Sequence, residues 1–195
     1  MAGFTDKELE IIEEAGLDPV DLQEILKYKQ TDLDAFVTVD SLDVSIVFPI
    51  SQTRANQAIA TLRSSLNPKG CQVYFSQLGK QEYLLNLLNV DDEFDILRFH
   101  GTEAPNYNLL TEDIIERLSE WKKLYGLYIA GANRDWVMFQ LEILPEDLDE
   151  YVEELIKFCP DYLYQDNYSE RGEGWSKFMI RSTINYHRIV RLWWD

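Results

Sequence analysis

The sequence predicts an α+β fold: a single domain with a mainly antiparallel sheet flanked by helices, carrying a helical pair at its N-terminus. Three observations predict it. Strand-like runs come in pairs across turn signals, as "LYIAG" and "WVMFQLEI" do around "ANRD", which is hairpin spacing rather than that of a parallel crossover. Segments with a 3.6-residue apolar period lie between those runs. The hydrophobic share of 46% is ample for one packed core in 195 residues, and the charged share of 27% is ordinary.

The elements follow in order. Thr5 and Glu8 form a capping box before Leu9 and Ile12, and Gly16 ends that first helix. Asp18 caps a second, with Pro19 at its first position and Leu22, Ile25 and Leu26 as its apolar stripe. A pair this short cannot hold itself together, so residues 1–30 are expected to form an appendage to an α+β domain of residues 31–195. "AFVTV" and "VSIVF" around "DSLD" predict a hairpin. Ser51 or Thr53 opens a helix with Ala55, Ala58, Ile59, Leu62 and Leu66 on one face, and "NPKG" stops it. "CQVYFSQ" and "EYLLNLLNV" are expected strands, and "DEFDILRFHG" a short helix before the polar loop "TEAPNYN". Thr111 begins a helix with acids at its positive end, Lys122 and Lys123 near its negative end, and Gly126 after it. Pro145 starts another, which presents Leu148, Tyr151, Val152, Leu155 and Ile156 on one face. "SERGEG" is a loop, "WSKFMIRSTINY" a helix and "RIVRLWW" the last strand. A final strand explains why the chain ends in Trp193, Trp194 and Asp195: the backbone is expected to be held by ladder bonds and at least one ring to pack under a helix. Alternation puts the two rings on opposite faces, and Arg188 or Arg191 could supply a cation for Asp195.

The charge excludes several functions. There are 35 acids and 18 bases, a formal net charge of −17. Such a surface repels phosphate backbones and anionic lipid, so neither nucleic acid nor membrane is an expected partner. A basic protein partner is attracted. Cys71 and Cys159 are the only cysteines and lie in no paired motif. With no basic, apolar leader and no long apolar run, the expected location is cytoplasmic.

The residues of catalytic chemistry are sparse. His100 and His187 have no ligand-spaced neighbours, so no metal site and no cofactor is expected. Cys159, in "FCPD", falls at a helix C-terminus, which disfavours a thiolate. "RGEGW" places two glycines and Arg171 before a helix, but without a complete phosphate-binding pattern. The polar residues of interest lie in loops between apolar elements: Thr102, Asn106, Asp161 and Gln165.

The second half resembles a bacterial family of uncharacterised proteins, domain-of-unknown-function family 4253. The resemblance rests on a Gly-Thr-x-x-x-Asn-Tyr loop (Gly101, Thr102, Asn106, Tyr107), a helix with the late Trp121, the segment Phe158-Cys159-Pro160-Asp161 with Gln165 close behind, and the terminal Trp193-Trp194-Asp195. It runs from about residue 43 to the end and is strongest from 94. One departure is "QDNYSERGEGW", which is longer than the link in relatives and lacks the glycine that follows their glutamine. The resemblance implies a compact bacterial domain and brings no reaction. Two readings of function result: an acidic protein-binding module, immunity-like or accessory, and leaning away from an enzyme; or a small enzyme or ligand binder whose site joins Thr102, Asn106, Asp161 and Gln165 to Trp194 and Asp195.

Overall fold

A computed structural model describes residues 4–28, 45–77, 83–164 and 176–194. The chain packs as two compact units, Met1–Ile96 and Leu97–Asp195. The domain boundary expected near residue 30 falls among residues that are not described.

The first unit begins with α1 (Asp6–Glu14) and α2 (Pro19–Leu26). Both expected caps are present: Thr5 Oγ1 accepts from Glu8 N at 3.2 Å, and Asp18 Oδ1 accepts from Val20 N at 2.8 Å. The pair docks rather than standing free. Ile11, Ile12, Leu22 and Ile25 are buried, and Lys69 holds both Asp18 and the buried Asp21. Strand β1 (Ser45–Ile50) is the second half of the expected first hairpin; its first half, "AFVTV", lies outside the described residues. Helix α3 (Gln52–Leu66) buries the five apolar residues its period marked and lies against β2 (Cys71–Gln77) and β3 (Tyr83–Asn89). Gly70 turns the chain between them at φ +75°, where a side chain would also meet the Asp91 carboxylate. β3 is the middle strand, antiparallel to both β1 and β2. Its polar Asn86 is buried and donates to Ser76 Oγ at 3.0 Å, so it leaves no unpaired amide.

The division between units falls within α4 (Asp95–His100), the helix expected from "DILRFH". The second unit then runs α5 (Thr111–Tyr125), β4 (Leu127–Ala132), β5 (Trp136–Leu141), α6 (Leu148–Phe158), a 3-10 turn at Pro160–Tyr164, α7 (Lys177–His187) and β6 (Ile189–Trp193). β5 is antiparallel to both β4 and β6. Each unit therefore has the predicted character, helices against antiparallel strands. Helix α6 begins three residues later than its proline suggested. Asp147 caps it through the N–H groups of Asp149 and Glu150, both at 2.9 Å, and buried Pro145 lies before that cap.

The core of the second unit is an aromatic chain. Trp121 of α5 lies 6.0 Å from Phe139 of β5 and meets Tyr151 and Phe158 of α6 edge-on, each at 5.6 Å. Phe158 in turn meets Trp194 edge-on at 5.8 Å. Glu154 crosses the top of this cluster and accepts from Trp121 Nε1 at 3.0 Å and Arg117 Nη1 at 2.8 Å. Trp121 is buried like the other core residues of α5, Ile114, Ile115 and Leu118. What distinguishes it is that its only N–H meets a charged acceptor.

Candidate functional site

The described residues singled out by sequence lie on three segments that the fold of the second unit brings together. The first is the loop after α4. Gly101 ends the helix at φ +58°. Thr102, fully buried, donates from Oγ1 to Asn133 O at 2.7 Å, and Glu103 N bonds Arg134 O at 2.9 Å. Thr102 thus ties the loop to the β4–β5 turn. Ala104 and Leu109 then exchange two backbone bonds around a tight turn of Pro105, Asn106 and Tyr107. Asn106 is exposed at the tip of that turn, and Tyr107 is half-buried.

The second segment is the 3-10 turn after α6. Tyr107 OH donates to Asp161 Oδ1 at 2.7 Å, so the loop of the first segment is clasped to the second by a charge-assisted bond. The sequence offered Asp161 as a candidate and left its partner out. The two positions are separated by 54 residues, and no local spacing encodes such a pair.

The third segment is the chain's end. Among the described residues, β6 pairs with β5 alone. Leu141 N bonds Arg188 O, and Trp194 N bonds Asp135 O. By antiparallel alternation the backbones of Val190 and Leu192 face β5, and those of Arg191 and Trp193 face away. The 3-10 turn meets this outer row. Cys159 Sγ donates to Trp193 O at 3.1 Å, and the Arg191 N–H bonds the Tyr162 hydroxyl. "FCPDY" is therefore a cover for an edge strand, built from a thiol and a phenol. The chemistry agrees: burial pushes the Cys159 thiol up to about 12, and burial also pushes the Tyr162 phenol up. Neither is an activated nucleophile. Cys71 of β2 is likewise buried and pushed up to about 12, chiefly by desolvation.

Of the six residues proposed, Thr102, Asn106, Asp161 and Trp194 are described, and Gln165 and Asp195 lie outside the described residues. Asp161 lies within the turn whose Cys159 and Tyr162 bond β6. Trp194 is only 2% exposed, so its ring faces are packed; Trp193 is the half-exposed one, and its Nε1 donates to Asp135 Oδ2 at 3.0 Å. Of the two arginines considered for Asp195, Arg188 donates to Glu142 O at 2.7 Å and Arg191 stacks 5.0 Å over Trp136. Among the described residues, no group of three or more His, Cys, Asp or Glu is placed to hold a metal ion, and no helix is long and apolar enough to cross a membrane.

Among the described residues of this unit, two buried side-chain polar atoms have no hydrogen-bond partner: Tyr151 OH and Trp194 Nε1. Burial, with Tyr125, Tyr162 and Glu154 around it, drives the Tyr151 phenol well above its ordinary range. A buried unpaired hydroxyl costs about 1–3 kcal/mol. Tyr151→Phe is accordingly expected to hold or raise stability in chemical denaturation, by up to about 1 kcal/mol. A loss of more than that would show that the hydroxyl has a partner in solution.

The family model described as a domain of unknown function (DUF4253) matches residues 84–195, which include all three segments of this site. No curated protein and no solved structure matches the chain. The Gly-Thr loop clasped to Asp161, the Cys159 and Tyr162 cover and the buried terminal tryptophan all lie inside that match, and the chain belongs to the DUF4253 family.

Proposed function

We propose that the protein is an acidic protein-binding module of a bacterial cytoplasm, immunity-like or accessory in role, which captures a basic protein partner. The observation that carries this reading is the placement of its acids. In α1, Glu10, Glu13 and Glu14 are exposed, and no cation stands against them among the described residues. Glu13 and Glu14 occupy the last turn, where the helix dipole is already negative and no basic residue sits. Acids there work against the helix that bears them. A cationic partner removes that repulsion, so binding and local stability are linked. The net charge of −17 adds long-range steering toward such a partner. Two free, buried thiols suit a reducing compartment.

The test is capture of a host protein by the immobilised full chain at about 50 and about 300 mM salt, with Glu10, Glu13 and Glu14 each changed to Lys in a variant. Lysine is favoured at Glu13 and Glu14 in the last turn and Glu10 is exposed, so this variant is expected to keep its fold. The expected result is a retained basic protein, identified by mass spectrometry, whose capture falls with salt and with the variant. Capture indifferent to both overturns the reading. One observation favours a second reading, a ligand binder or small enzyme: the Tyr107–Asp161 clasp joins two loops that carry polar residues. Under it, Asp161→Asn abolishes the activity and the lysine variant does not.

A further inference from the structure

Helix α7 is apolar on two opposite sides. At 100° per residue, Ile180 and Ile184 fall together, and both are fully buried. Phe178, Ser182 and Tyr186 fall on the opposite side with Met179 beside them. There Phe178 is 72% exposed, Met179 48% and Tyr186 78%. A helix on the surface of a globular unit needs only one apolar stripe. Three large apolar side chains gathered on the other mark a contact surface.

We propose that this face is the contact between two copies of the chain, with α7 packed antiparallel on α7 of the second copy about a two-fold axis at Ser182. Three features select a second copy over another occupant. The stripe is self-complementary: an aromatic residue stands four positions before and four after a small one, so reversing the helix places Phe178 against Tyr186 of its mate, about 12 Å apart along each axis. Ser182 at the crossing point lets the backbones approach to the close end of helix packing distances. The local charge also permits it. Residues 101–150 carry 11 acids and 4 bases, but residues 151–195 carry 7 acids and 6 bases. On the flank of α7 toward α6, Arg181 pairs with Asp149 at 2.9 Å and Lys177 pairs with Glu153. In a chain of net charge −17 this is ground on which two copies meet with little repulsion.

The area sets the strength. The three exposed side chains supply roughly 400 Å² per copy. Two copies then bury about 800 Å², and the flanking polar residues bring the contact toward the ~1,000 Å² at which weak specific pairs begin. The dimer is therefore weak and concentration-dependent. Salt screens the repulsion between the two acidic bodies, so raising it strengthens the dimer. Capture of a basic partner shows the opposite dependence, and the two ideas fail separately.

Sedimentation equilibrium of the full chain, from ~10 to ~500 µM at ~50 and ~500 mM salt, tests this. The expected result is a mass rising from 22.9 kDa toward twice that value, further at high salt. Phe178→Asp with Tyr186→Asp, both at exposed positions, should keep the far-UV circular dichroism and stay monomeric throughout. Ser182→Cys should cross-link under mild oxidation about ten-fold faster than Ser64→Cys on the exposed side of α3, because only the first is held near its mate. A wild-type chain that is monomeric at ~500 µM in both salts overturns the proposal, as does a double variant that associates as well as wild type, or equal cross-linking at the two cysteines.

Discussion

Deleting residues 193–195 is expected to lower the stability of the second unit by about 4 kcal/mol or more, enough to unfold it in part at 37 °C. Trp194 alone supplies most of this. It is nearly fully buried and packs edge-on with Phe158, so Trp194→Ala should cost about 3–5 kcal/mol. Deletion also removes the bond from Trp194 N to Asp135 O and the carbonyl that accepts from Cys159. Each exposes a backbone or thiol partner that was satisfied. The shift is read as a fall of about 2 M in the urea midpoint of far-UV circular dichroism, at a slope of about 2 kcal/mol/M. Trp194→Phe separates packing from polarity. It keeps a ring against Phe158 and discards an indole N–H that has no partner, so it should cost about 1 kcal/mol rather than 4. If deletion leaves the midpoint within about 0.3 M, the end of the chain is not part of the core.

That burial was legible in the sequence because it rests on composition and alternation. "RIVRLWW" alternates, and two indoles at a terminus are explained only by packing. The helices were legible for similar reasons: Ala55, Ala58, Ile59, Leu62 and Leu66 declare a face, and Thr5–Glu8 and Asp18 declare starts. The start of α6 was misjudged because proline marks where a helix can begin, and Asp147, two residues on, bonds the free N–H groups and so fixes where it does. The site was legible in its parts and not in its pairings. Thr102 and Asp161 were visible as polar residues in loops, and Cys159 as a thiol at a helix C-terminus. That Thr102 ties to Asn133, Asp161 to Tyr107 and Cys159 to Trp193 depends on sequence separations of 31, 54 and 34 residues. Those pairings exist only once the sheet has formed. They recast the motif: Cys159 and Tyr162 satisfy an exposed strand edge, which explains a buried thiol at a helix end without invoking catalysis.

Stability should also fall as pH drops from about 6.5 toward 4, and the cause is His100. Burial holds its imidazole down to about 4, from an ordinary 6.5. The folded state therefore keeps His100 neutral at pH values where the unfolded chain already binds the proton. Between the two values the unfolded state binds more protons, so stability rises with pH there, is complete above about 6.5 and is lost as pH falls through the window. The full shift corresponds to about 3 kcal/mol. His100 is half-buried, and solvent screening reduces this to about 1–2 kcal/mol. Carboxylates act mainly below pH 5, in two opposed ways. Glu112, held low by its bonds to Arg98, and Asp18, held low by the Asp21 backbone and Lys69, lose stabilising pairs on protonation. Relief of the −17 charge works the other way. The interval from 6.5 to 5 is thus the one in which the histidine dominates. Urea midpoints measured across it should slope for the wild type and flatten for His100→Gln, whereas His187→Gln, at an exposed position, should keep the slope. A His100→Gln profile parallel to that of the wild type would assign the slope to other groups and place the imidazole in water.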